Sequence, residues 1–215
     1  MYLSRVEIDI NNRRKMKDLT HLGCYHGWVE HSFPQENDIR TRKLWRIDNI
    51  GDKYYLIILS EYIPDKEKLE KYGVESTTEV KDYDEFLASL KEGIRAKFRI
   101  KLNTVIAKID KENSTKRGRI MPVPNEKLNG FLVDKAQRNG FEVKTDEFGI
   151  SKIDKEYFMN FDKEDKKKSR KNIVSATYEG MLTITDLEKF KVALVNGIGK
   201  KKAYGCGFLT IIPEK

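Results

Sequence analysis

From residue 95 to residue 102 every second side chain is apolar and every other one is basic: Ala96, Phe98, Ile100 and Leu102 alternate with Arg95, Lys97, Arg99 and Lys101. A period of two belongs to a strand with one face against a core, so this segment predicts a half-buried strand whose other face is wholly cationic. The chain also opens on an alternation, Val6, Ile8 and Ile10 taking turns with Arg5, Glu7 and Asp9. Between these strands the apolar set Leu22, Tyr25, Val29 and Phe33 falls at helical spacing over 18–32. Gly23 and Gly27 weaken that helix by about 1 kcal/mol each relative to Ala, and Pro34 marks a stop. Two β-type runs at 44–48 and 54–60, joined by Asn49-Ile50-Gly51-Asp52, predict a hairpin. The polar stretch 65–81 reads as loop with some helix, and 82–90 as a helix ended by Gly93. The resulting order is βαββαβ, a ferredoxin-like unit.

The pattern then starts again. Residues 111–119, KENSTKRGR, hold no apolar side chain and suit an exposed connection. Ile120, Met121 and Val123 predict a short strand, and Leu128, Phe131, Leu132 and Ala136 a helix ending at Gly140. Further β-type residues lie at 141–144 and 150–161, and a long strand at 173–185. Thr185 with Glu188 three residues on predicts a capping box that opens a helix through Leu187, Phe190 and Leu194, stopped by Gly197. The last strand covers 208–212. The expected fold is therefore α+β, two tandem ferredoxin-like (RRM-like) βαββαβ domains at 1–110 and 116–215.

Composition bounds the partners. Lys and Arg number 42 against 34 Asp and Glu, leaving a formal charge of +8, while 39% hydrophobic and 10% aromatic residues suffice for a core. An excess of cations points to a polyanion, because each phosphate contact releases condensed counterions; solvated surface charge is the plainer alternative. No apolar run approaches the roughly 20 residues of a membrane helix, and MYLSRVEIDI lacks the apolar core of a secretory signal. No membrane partner is expected. Cys24 and Cys206 are the only cysteines, far apart and without a CxxC, which fits a reducing cytoplasm rather than a disulfide framework or a zinc site.

Three local features carry candidate chemistry. The run Gly197-Ile198-Gly199-Lys200-Lys201-Lys202-Ala203-Tyr204-Gly205-Cys206-Gly207 joins the last helix to the last strand. Its glycines let backbone N-H groups approach an anion and its lysines add charge, yet it is neither a P-loop nor a dinucleotide fingerprint. A flexible helix-to-strand connection is the plainer reading. All three histidines, His21, His26 and His31, lie in one candidate helix. Five helical residues turn the direction by about 140° net, so the rings point to different sides and do not form one metal site. His26 falls beside the apolar arc, consistent with a buried structural histidine or with a proton-transfer group. Finally, Lys166, Lys167, Lys168, Arg170 and Lys171 follow Tyr157 and Phe158 and predict a basic hairpin able to lie along a phosphate backbone. Arg99 and Lys101, with Lys116, Arg117 and Arg119, add two more basic patches.

Taken together, these segments resemble the CasE family, the repeat-processing endoribonuclease of type I-E CRISPR systems and a subunit of the Cascade complex. The likeness is carried by MYLS and the first strand, by His26 with His31-Ser32-Phe33-Pro34, and by Leu44-Trp45-Arg46. It continues through Phe98-Arg99-Ile100-Lys101-Leu102-Asn103, Lys116-Arg117-Gly118-Arg119, Glu179-Gly180-Met181-Leu182-Thr183-Ile184 and the GIGKKKAYGCG loop, so it spans nearly the whole chain. The resemblance implies metal-independent cleavage of precursor CRISPR RNA at the 3′ base of the repeat hairpin, with no small-molecule cofactor. The upstream 2′-hydroxyl attacks, leaving a 2′,3′-cyclic phosphate and a 5′-hydroxyl. It also implies that the product stays bound beside other Cascade subunits, with His26 as general acid or base. Some relatives carry a tyrosine three residues before that histidine, where this chain has Gly23; Tyr25 is the nearby tyrosine that stands as a second candidate, and it faces elsewhere on a helix. The basic loop, with Arg99, Lys101, Lys116, Arg117 and Arg119, would contact RNA, as would Lys200, Lys201, Lys202 and the glycines Gly197, Gly199, Gly205 and Gly207. A non-catalytic RNA-binding subunit is the alternative from another functional class.

Overall fold

In β1 (Tyr2–Glu7) Ser4 and Val6 are buried and Arg5 is exposed, as the opening alternation requires, but the strand ends sooner than expected: Ile8 is buried in an isolated bridge and Ile10 is exposed. A computed structural model describes residues 1–33, 41–108, 118–161 and 167–214. After β1 come α1 (Arg13–Met16), α2 (Leu22–His31), β2 (Leu44–Ile50), β3 (Lys53–Ser60), α3 (Lys66–Glu70), β4 (Glu79–Asp82) and α4 (Asp84–Ser89). Strands β2 and β3 form the expected hairpin. The first sheet runs β2-β3-β1-β4, antiparallel throughout, which completes a ferredoxin-like unit. Its closing strand lies where the sequence reads as loop. Every side chain of β4 is exposed, so it has no apolar alternation to read, and Arg5 Nη2 tethers it through Glu79 Oε1 at 2.7 Å.

The second half contains β5 (Arg95–Asn103), β6 (Val105–Lys108), β7 (Arg119–Pro122), α5 (Leu128–Arg138), β8 (Phe141–Glu142), β9 (Phe148–Phe161), β10 (Lys168–Ile184), α6 (Leu187–Asn196) and β11 (Leu209–Pro213). Its sheet runs β11-β5-β10-β8, with β9 also paired to β10. The α+β class with two ferredoxin-like sheets is thus as expected, but the division between them is not. β5, assigned by sequence to the first unit, is a central strand of the second sheet, bonded to β10 and β11. The expected boundary between 110 and 116 therefore does not coincide with the division of the hydrogen-bond ladders. Period two identifies a strand without naming its partners, which here lie about 60 or more residues downstream. The predicted strand around Ile120 instead pairs with β6 in a separate two-stranded ribbon.

Helix α6 also starts one residue late. Its cap is Asp186, whose carboxylate accepts from Lys189 N at 3.0 Å and pairs with Lys189 Nζ at 2.7 Å. An ionised oxygen one residue nearer the helix displaces the Thr185 hydroxyl from the role. The larger apolar core lies between the second sheet and helices α5 and α6. A second core packs α2 and α3 on the first sheet and takes in Phe158, Ile173 and Cys206 from the other half. Among the described residues, no helix is long and apolar enough to cross a membrane.

Candidate active site

Helix α2 is capped by His21, whose Nδ1 accepts from Gly23 N at 3.0 Å. The ring fills the space over Gly23: a Cβ built there would meet His21 Cε1 at 2.8 Å. One turn further on, His26 faces the loop between α6 and β11. Its imidazole lies 5.8 Å from the ring of Tyr204. Tyr204 stacks on Phe158 of β9, centroids 3.9 Å apart at 22°. Lys201 Nζ stands 4.6 Å from the Phe158 centroid and 5.6 Å from that of Tyr204. Burial raises the Tyr204 phenol above its ordinary range, which keeps it protonated and so a hydrogen-bond donor.

The basin on this side of α2 encloses about 630 Å3 and is lined by Glu30, Arg42, Lys43, Lys201 and Lys202 beside His26. The Glu30 carboxylate approaches His26 Nδ1 at 3.7 Å and Lys43 Nζ at 3.5 Å. Arg42 and Lys202 both donate to the carbonyl of Asn196, at 3.3 and 2.7 Å. The Lys202 ammonium is pushed down by burial and then by Arg42, so these cations already crowd one another and favour an anion between them. One imidazole among four cations can move a proton while a phosphate's charge is held.

The glycine loop divides into scaffold and tip. Gly197, Gly205 and Gly207 are buried, whereas Gly199 and Lys200 are exposed, as is Lys201. At Gly205, φ is 75° and the Trp45 ring lies where a side chain would be; at Gly207, φ is 84° and the Ile198 carbonyl does. These two glycines therefore support the loop from inside rather than meeting a ligand. Lys201 itself is left-handed, φ 63°, which turns its side chain over Phe158.

Lys167, Lys168, Arg170 and Lys171 are exposed along the β9–β10 hairpin. The Arg170 guanidinium sits 3.9 Å over Tyr157, whose ring is 5.7 Å from His21. Tyr157 and Phe158 thus join the basic hairpin to α2 and to the His26 pocket. Lys166, Lys116 and Arg117 fall outside the described residues. Arg119 is exposed on the β6–β7 ribbon and does not line the pocket.

Three sequence candidates lie elsewhere. Tyr25 turns into a separate cavity of about 330 Å3 between the sheets, stacked with Trp45 at 6.3 Å and 23°. Burial first, and then Cys24, raises its phenol. It does not share the His26 pocket. The same cavity is bordered by Arg99 and Lys101, and both are ion-paired. Arg99 Nε lies 3.3 Å from Glu179 and 3.5 Å from Asp48; Lys101 Nζ lies 2.5 Å from Glu156 and 3.9 Å from Asp154. The face read as wholly basic is therefore largely neutralised at these two positions, because the partner carboxylates come from distant segments. Among the described residues, no group of three or more His, Cys, Asp or Glu side chains is placed to hold a metal ion.

Glu30, Arg42 and Lys43, which line the pocket, and Tyr204, whose ring lies beside His26, are residues that sequence reasoning missed. Glu30 alone had a readable signal, standing four residues after His26 on one helix. Arg42 and Lys43 reach the pocket from the approach to β2, and Tyr204 only through the packing of the other half against α2.

Two ferredoxin-like sheets thus carry a histidine-centred basic pocket and a cationic hairpin, in a chain of the CRISPR-associated class. The chain belongs to the family described as CRISPR associated protein, whose model matches residues 1–213. Solved structures with the same fold bear out the resemblance to CasE. One is Thermus thermophilus Cse3 bound to an RNA representing a pre-cleavage complex, 20% identical with TM-score 0.73, covering 99% of this chain and 98% of that one. Another is Cas6e from Escherichia coli K-12, 20% identical with TM-score 0.59 and 100% of both chains covered. A chain of a CRISPR RNA-guided surveillance complex matches at 19% identity and TM-score 0.67, again over 100% of both chains. No curated protein matches the sequence.

Proposed function

We propose that this protein is a CRISPR repeat-specific endoribonuclease that cuts precursor CRISPR RNA at the 3′ base of the repeat hairpin and stays bound to the product as a subunit of Cascade. The observation that carries the reading is the placement of His26, at the edge of a pocket with Arg42, Lys43, Lys201 and Lys202. The matched solved structures, one bound to an RNA representing a pre-cleavage complex and one a chain of a surveillance complex, support the substrate and the assembly.

In this reaction the upstream 2′-oxygen attacks the scissile phosphorus and forms a new P–O bond while the bond to the 5′-oxygen breaks. The 2′-hydroxyl loses a proton and the departing 5′-oxygen gains one, leaving a 2′,3′-cyclic phosphate and a 5′-hydroxyl. His26 moves one of those protons. Arg42, Lys201 and Lys202 hold the charge that builds on the phosphorane, in a site where they are already in place before the RNA arrives. The hairpin cations contact backbone phosphates of the stem, since the deep A-form major groove is poorly open to side chains. The nucleophile is the RNA's own hydroxyl, so cleavage proceeds in a chelator.

The test is incubation of purified protein with repeat RNA in EDTA. Wild type should give a cyclic-phosphate product, and His26→Ala should bind the hairpin without cutting it. Normal cleavage by that variant would sink the assignment; a gel shift with no product from wild type would favour a non-catalytic RNA-binding subunit.

A further inference from the structure

The Glu30 carboxylate stands between two nitrogen partners. One oxygen lies 3.7 Å from His26 Nδ1, one helical turn back on α2, and the other lies 3.5 Å from Lys43 Nζ at the approach to β2. Lys43 is firmly placed: its side chain is 1% exposed, its Nζ sits 5.1 Å over the Phe33 ring, and it donates to the Thr41 carbonyl at 3.3 Å. An ammonium this deeply buried needs an anion beside it, and Glu30 is one. A lysine that cannot swing away in turn limits the carboxylate to orientations that keep its first oxygen toward His26.

Among the described residues, the remaining charged and titratable groups facing His26 come from other elements. Arg42 and Lys43 precede β2, and Lys201, Lys202 and Tyr204 lie on the loop after α6. Four of these five are cations, and Glu30 is the one carboxylate among the described residues that line the pocket. Positive neighbours disfavour a protonated imidazole and a carboxylate in contact favours it. We infer that Glu30, anchored by Lys43, is a positioning residue for RNA cleavage: it orients the His26 imidazole and keeps it able to carry a proton inside a cationic pocket. This rests on the endoribonuclease reading above. The competing account makes the same contacts a simple brace between α2 and β2, with no bearing on protonation.

The two accounts separate on pH dependence. Single-turnover cleavage of a repeat hairpin would be followed in EDTA from pH 5 to 9 for wild type, H26A, E30Q, E30D and K43M, with imidazole titration by NMR on the RNA-free proteins. The chain has only three histidines, and H26A assigns the signal. E30Q should slow cleavage about tenfold at neutral pH, and both its rate profile and the His26 signal should titrate at lower pH than in wild type. K43M removes a cation from the pocket and from beside Glu30, so the displacement should be toward higher pH. E30D should recover part of the rate, and RNA affinity should change by no more than about twofold in E30Q, since the residue removed is an anion. A wild-type pH profile and an unmoved His26 titration in E30Q overturn the inference, whatever happens to the rate. Should E30Q fail to fold, K43M decides: no displacement toward higher pH overturns it equally. Inactive wild type, or cleavage by H26A, overturns the endoribonuclease reading instead, and the NMR titration still reports on Glu30 and His26.

Discussion

The indole of Trp45 lies against Gly205 so closely that a Cβ added to that glycine would sit 3.0 Å from Cζ3 of the ring, and Trp45 Nε1 also donates to the carbonyl of Ala203 at 3.2 Å. A strand of the first sheet therefore grips the loop whose tip carries Lys201 and Lys202. Gly205→Ala has to take a φ of 75° and displace the ring. We expect a loss of about 1–2 kcal/mol in urea unfolding, together with slower RNA cleavage because the loop lysines shift. Unchanged stability would show that the Trp45 contact is slack.

Arg46 joins the two sheets. Its guanidinium makes two 2.7 Å bonds to Asp48 and reaches the carbonyls of Arg99 and Phe208 and the hydroxyl of Thr210 in the second sheet. Both Arg46 and Asp48 are buried. Arg46→Met keeps the bulk but strands the Asp48 carboxylate with Arg99 as its remaining partner, at 3.5 Å. A cost of about 3 kcal/mol is expected, read as a lower urea midpoint, and replacing Asp48 by Asn in the same chain should recover part of it.

Basic residues fall into two groups with different salt signatures. Exposed Lys167, Lys168, Arg170 and Lys171 are available to phosphates, whereas Lys101 is committed to Glu156. Alanine at the hairpin positions should reduce the slope of log affinity against log salt by roughly one unit for each RNA phosphate that is no longer neutralised. Lys101→Ala should keep the slope nearly as it was and lower thermal stability instead. A steep drop in slope on changing Lys101 would mean that its ion pair opens when RNA binds.

Burial raises Cys206 to about 12, and raises the phenols of Tyr83 and Tyr178 as well. Below the ordinary thiol range both folded and unfolded chains are protonated at these groups, and stability does not depend on them. Above it the unfolded chain ionises while the folded one cannot, so stability falls as pH climbs through 9 toward about 12 for Cys206. Each such group contributes a slope of about 1 kcal/mol per pH unit across its window. Urea midpoints at pH 8 and 10.5 should drop accordingly; equal midpoints would contradict the burial of these groups.

Much of the scaffold is written in local pattern. Alternation marks β1 and β5, the Asn49 to Asp52 turn marks the β2–β3 hairpin, and the periodic apolar set marks α5. β4 escapes because all four of its side chains are exposed, and the sheet that receives β5 escapes because pairing partners are a property of tertiary packing. The site divides in the same way. The hairpin cations are read from their run of charge and His26 is singled out by the resemblance, and Tyr25 is expected to face away from His26, as it does. The ion pairs on Arg99 and Lys101, and the Tyr204 stack beside His26, join residues between about 50 and 180 positions apart, and no local pattern records them.

Sheet membership of β5 also sets an order of assembly during synthesis. The four strands of the first sheet are all present once the chain reaches Asp82, and they can pair at once. β5 follows immediately, yet it bonds only to Lys168–Ile184 and Leu209–Pro213. One of its edges stays open until Leu209–Pro213 has emerged from the ribosome, and long-range closures of this kind are slow. The apolar row Ala96, Phe98, Ile100 and Leu102 thus waits longest for its partners, and Arg95, Arg99 and Lys101, which pair with carboxylates in the finished molecule, guard the open edge against aggregation until then.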